Sequence, residues 1–185
     1  MSDGFLEERF RRALDEHGLL RPGQFDPPSP EASFVVFAQR PDARLDLDSL
    51  RRNASRFFGA RLGLTVEKHY GEVAPETDAA RVVLASDDGL TSGTRLCFGR
   101  RADLADRARI EAAERAAGTT GMALLAQRCA TVWLVEGGHE DRVALLVAAI
   151  FASVLLGPIV PPRGDEAFGV RTARLRLEGR AAPYR

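Results

Sequence analysis

Lysine is nearly missing from this chain: Lys68 is the only one, and arginine supplies the rest of the 26 basic side chains. A bias spread along the whole length reads as GC-rich coding rather than as selection for bidentate phosphate or carboxylate contacts. Neither sign of charge is in excess, because 26 acidic side chains bring the formal net charge to zero. A nucleic-acid binder draws much of its affinity from neutralising phosphates and usually carries a basic surplus. Nucleic acid is therefore not among the expected partners. Cysteine is scarce as well. Cys97 and Cys129 stand far apart and neither belongs to a C-x-x-C pair. One disulfide is arithmetically possible, but two such cysteines do not make a disulfide scaffold. Both lie in apolar stretches, which predicts buried free thiols.

Several chemical signatures are also lacking. The sequence has no G-x-S-x-G around Ser86, Ser92, Thr119 or Ser153, hence no nucleophile elbow. It has no P-loop and no G-x-G-x-x-G fingerprint. The start, Met1-Ser2-Asp3-Gly4-Phe5, turns acidic without a basic segment or an apolar run. No secretory signal is read there, and a cytoplasmic location is expected. Val143 to Val160 is free of charge and long enough to raise the question of a membrane span. Gly157 and Pro158 should stop a helix near Leu156, leaving a rod of about 21 Å, short of the hydrocarbon thickness. A buried core helix is the expectation, with no membrane partner.

What is present is ordinary for a folded domain: 185 residues, 45% hydrophobic and 28% charged. Residues 1–20 read as an amphipathic helix, with Leu6, Phe10, Ala13 and Leu14 on one stripe. Residues 21–32 carry Pro22, Pro27, Pro28 and Pro30 and read as a linker or strap. Residues 33–178 form the α/β domain, and 179–185 a tail. Phe34 to Ala38 suits a central strand. A helix capped by Asp46 or Asp48 follows, with Leu50, Ala54, Phe57 and Phe58 inward, ended by Gly59. Leu64 to Tyr70 alternates as a strand. Arg81–Ala85 and Thr94–Arg100 make a hairpin, with Leu96 and Phe98 inward. Ala102 to Ala117 predicts a helix packing through Leu104, Ala108, Ile110 and Ala112, followed by a second helix from Met122 to Arg128. Ala130 to Val135 is a strand, Val143 to Leu156 the apolar helix, and Ile159-Val160 a short strand. Thr172 to Glu178 alternates and predicts a last strand. The expected fold is α+β: a mixed, mostly antiparallel sheet with helices on one face, on an elaborated ferredoxin-like or split β-α-β plan.

The candidate site is the turn Glu136-Gly137-Gly138-His139-Glu140-Asp141, where a strand meets a helix. Glycines there let a ligand approach the backbone, and Glu136, His139, Glu140 and Asp141 bring donor atoms. The spacing matches no metal motif, so no metal or cofactor is expected. A turn followed by a helix cap is the plainer reading, since acids favour a helix N-terminus for dipole reasons alone. His69, Arg174 and Arg176 are candidates on the polar face of predicted strands. RNA stacking is not expected there, because none of the outward residues is aromatic. Asp87 and Asp88 fit turn chemistry before Gly89. The leading expectation is a non-enzymatic protein-interaction or regulatory module, of adaptor, chaperone-like or immunity type, working with a protein partner or a second copy of itself. The alternative is an enzyme or small-ligand-binding protein with a pocket near residues 136–142.

Overall fold

Two unbroken apolar stretches organise the architecture. The computed structural model describes residues 3–12, 14–16, 28–39, 45–67, 77–87 and 91–179. Strand β1 (Ser33–Ala38) is buried along its whole length, and β5 (Thr131–Glu136) at its four central residues. They pair antiparallel, from Ser33 opposite Glu136 to Ala38 opposite Thr131. Neighbouring residues of a strand face opposite sides of a sheet. A strand apolar at every position must therefore be covered twice. Phe34, Val36, Trp133 and Val135 enter one core cluster, and Val35, Phe37, Val132 and Leu134 enter a second.

The other strands are β2 (Ala60–Glu67), β3 (Thr77–Ser86), β4 (Ser92–Arg101) and β6 (Ile159–Val160). The sheet order is β2-β3-β4-β5-β1-β6, and every pairing in it is antiparallel. Helices α1 (Asp3–Arg12), α2 (Leu47–Phe58), α3 (Leu104–Ala117), α4 (Met122–Gln127), α5 (Arg142–Leu155) and α6 (Val170–Leu177) pack against it. The first core cluster takes Leu50 and Ala54 of α2, most of α5, and Ala173 of α6. The second takes Phe10 of α1, Ile110 and Ala113 of α3, and Ala126 of α4. Helices thus cover both faces of the sheet, not one as the element order suggested, and the sheet is antiparallel rather than mixed.

Local chemistry sets the helix ends. Asp46 accepts from the backbone N–H of Asp48 and Ser49 and starts α2, which Gly59 ends in the left-handed conformation. Asp103 and Asp106 form a reciprocal capping box at α3. That box sets the register so that Asp106, Ile110 and Ala113 make the buried stripe. Leu104, expected inward, is 84% exposed. Phe57 of α2 is also partly exposed, with the Arg56 guanidinium 5.2 Å above its ring.

The stretch Thr172–Glu178 is the clearest correction: it forms most of helix α6 and its C-terminal cap, not a strand. Its alternation is real, but Val170, Ala173 and Leu177 also recur at helical spacing. Those are the residues that join the first cluster. Leucine, arginine and alanine favour helix, and α5 offers the surface against which α6 packs.

Helix α5 is apolar nearly all round and is buried by its own chain, against β1, α2 and α6. Each of Leu146, Ile150 and Phe151 contributes about 1.5–3 kcal/mol by such burial. A second copy of the chain is therefore not needed to cover this helix. Among the described residues, no helix is long and apolar enough to cross a membrane. Cys97 and Cys129 are free and buried, as expected. Burial pushes the Cys129 thiol up to about 11, and the Cys97 thiol further still.

Candidate functional site

The β5–α5 turn is built around Asp141. Its carboxylate caps α5 by accepting from the Ala144 N–H at 3.0 Å. It also accepts both arms of the Arg95 guanidinium from β4, at 3.0 and 2.7 Å. Gly137 is required by close approach: a Cβ there would stand 2.4 Å from the Ala144 Cβ. Glu136, at the end of β5, accepts from Arg9 of α1 at 2.7 Å, while its second oxygen is buried without a hydrogen-bond partner.

Beside this turn lies a cleft of about 220 Å³, lined by Phe34, His139, Glu140, Asp141, Arg142, Leu145, Pro161 and Arg176. It brings together His139, Glu140, Asp141 and Arg176 of the predicted site residues. Arg176 comes from α6, where it pairs with Glu166 and lies 4.4 Å from the Phe168 ring centroid. Arg142 donates to the Leu177 carbonyl. His139 Nδ1 is buried with no hydrogen-bond partner. Glu136 is in the same turn but outside the cleft lining, turned to Arg9. Arg174 is also outside it, paired with Glu178 one helical turn on. His69 lies outside the described residues. The polar groups of the cleft are thus mostly committed to the protein itself: Asp141 to Arg95 and the helix cap, Arg176 to Glu166. Among the described residues, no three His, Cys, Asp or Glu side chains gather as a metal site would require.

A second surface was not legible in the sequence, because it depends on strand order. Strand β2 ends the sheet on one side. Asp87 N–H donates to the Gly59 carbonyl at 2.8 Å, which fixes the hydrogen-bond parity of the β2–β3 ladder. Alternate residues of an antiparallel strand point their backbone groups to opposite sides. Arg61, Gly63, Thr65 and Glu67 therefore bond to β3, and Ala60, Leu62, Leu64 and Val66 aim N–H and C=O outward. Arg51 Nε donates to the Leu62 carbonyl at 3.2 Å, in keeping with that parity. It is the one partner of these outward backbone groups among the described residues. The opposite edge is closed, since Ile159 and Phe168 exchange two backbone hydrogen bonds beyond β6. Above β2, α2 presents a shallow depression lined by Arg51, Arg52, Asn53, Ser55 and Arg56.

Compared with protein-family models, with curated proteins and with solved structures, this chain finds no match.

Proposed function

We propose that this chain is a non-enzymatic protein-interaction module, which engages its partner by strand addition at the outer edge of β2. The observation that carries this reading is the row of outward backbone groups at Ala60, Leu62, Leu64 and Val66, on a sheet whose other edge is closed. Open edges of this length are hazards that proteins usually cover, and strand addition is a common mode of peptide recognition. Adaptor, chaperone-like and immunity-type proteins of the cytoplasm would all use such an edge. The unit β5–α5–β6 straddling β1 is read as the split β-α-β element of an extended ferredoxin-like plan. A ligand-binding or enzymatic role for the cleft at His139 is the second reading, favoured by the unpartnered Nδ1. Its volume of about 220 Å³ is small beside the 300–1,000 Å³ usual for ligand sites.

Leu64→Pro tests the leading reading. The N–H it removes points outward, so the β3 ladder is spared, and proline is tolerated on edge strands. Cross-linking in cells followed by mass spectrometry should recover partners with the wild-type chain that the variant loses. Recovery of the same partners by a folded variant would reject the edge as the docking site.

A further inference from the structure

The outward groups of β2 can be matched against β2 itself. In an antiparallel pair of identical strands related by a two-fold axis, outward residues must meet outward residues. For β2 this pairs even-numbered residues with even-numbered ones. A two-fold axis at Leu64 satisfies that condition. It sets Leu64 opposite Leu64 and Leu62 opposite Val66, each as a hydrogen-bonded pair. It also sets Arg61 of each chain opposite Glu67 of the other. The two neighbouring allowed registers, centred on Gly63 and on Thr65, set Arg61 against Thr65 and Gly63 against Glu67, and within Ala60–Glu67 neither brings unlike charges together. Charge thus selects the register at Leu64, because opposite charges directly across a ladder stabilise it and like charges do not.

We propose that the protein forms a symmetric homodimer through β2, making one continuous sheet from two. The proposal rests on the strand-addition reading above and names a second copy of this chain as the occupant. Two further features fit. Ala60 and Leu62 belong to the first core cluster and the half-buried Leu64 packs against it, so the apolar layer beneath α2 runs on into the same layer of the second chain. The Arg61 side chain is 82% exposed, and its ion pair to Asp87 is long at 3.9 Å. It is therefore available to a partner at little cost. Docking transfers the Leu62 carbonyl from Arg51 to the Val66 N–H of the second chain. Arg51 is then a guard that the partner strand displaces.

Sedimentation equilibrium of the full chain across the micromolar range tests this. Wild type should fit a monomer–dimer equilibrium. Arg61→Glu and Glu67→Arg should each raise the dissociation constant by about tenfold, since each creates two like-charge pairs per dimer. The double variant restores both pairs with their signs exchanged and should return to within about threefold of wild type. Far-UV circular dichroism checks folding, and the double variant keeps the test decisive if one single variant misfolds. A wild-type monomer at every concentration would overturn the dimer. So would a dimer indifferent to both reversals, since it must then use another surface. Either result leaves the strand-addition reading to the Leu64→Pro capture experiment: foreign partners lost by that variant would keep it, and their retention would end it.

Discussion

Asp106 is the most deeply buried carboxylate among the described residues, at 2% exposure. Arg100 makes this tolerable by donating to both of its oxygens, at 2.6 and 2.8 Å. The Asp103 N–H donates to Asp106 at 3.0 Å, and Asp106 N–H returns a bond to Asp103 at 2.9 Å. The hydrogen bond to Asp106 raises the Arg100 pKa, and the Asp106 N–H holds the Asp103 carboxyl below its usual value. Removing one member of a buried pair leaves the other uncompensated. Asp106→Ala should therefore cost about 3 kcal/mol in denaturant unfolding, and Asp103→Ala about 1 kcal/mol as a lost cap. A carboxylate with a depressed pKa stabilises above its unfolded value, and that stability goes as pH falls through the folded value. The Asp103→Ala deficit should accordingly shrink in acid unfolding curves. The sequence contains the pattern Asp103-x-x-Asp106, a readable cap signal. Its consequence, an aspartate on the inner stripe of α3 and Leu104 on the outer one, follows from the register that the cap imposes.

At the scale of elements, the stop of α5, expected from Gly157 and Pro158, is made at the residue just before them. The left-handed residue that ends the helix is Leu156, with φ of 59°. Gly157 is needed for space: a Cβ there would lie 1.9 Å from the Phe37 carbonyl oxygen. The chain crosses β1 at this point, where Phe37 N–H donates to the Pro158 carbonyl and Gln39 N–H to that of Leu155. A backbone oxygen cannot swing aside as a side chain can. Gly157→Ala should thus destabilise by at least about 3 kcal/mol, the upper range for overpacking. Thermal unfolding followed by circular dichroism would read it, and an unchanged midpoint would count against the crossing. The last helix makes a related point. A period of two and a period near 3.6 both fit Val170 to Glu178, and the apolar wall of α5 selects the helix.

In the whole molecule, the N-terminal helix is a packed part rather than an appendage. Phe10 is 4% exposed within the second core cluster, and Arg9 reaches Glu136 at the end of β5. The sequence showed the stripe of Phe10 and Leu14 but not the surface that receives it. That surface is the β4 side of the sheet, assembled from residues nearly a hundred positions away. Phe10→Ala should lower stability by about 3 kcal/mol, the low end for a buried phenylalanine. A midpoint in urea unchanged from wild type would mean that α1 docks only loosely.

Local patterns determined most of the elements: the apolar runs of β1 and β5, the aspartate and glycine boundaries of α2, the hairpin of β3 and β4, and the burial of α5. These are short-range matters of propensity, capping and periodicity, and they are written in neighbouring residues. The same is true of the β5–α5 turn, where His139, Glu140 and Asp141 do come together. Arg176 joins them by a route that no spacing revealed, since α6 had first to be a helix and then to lie against α5. Tertiary structure also decided which strands stand at the edges. Strand order is a property of long-range pairing, in which β1 inserts between β5 and β6 and leaves β2 outermost. Only that arrangement turns the modest segment Ala60–Glu67 into the surface on which the proposed function rests.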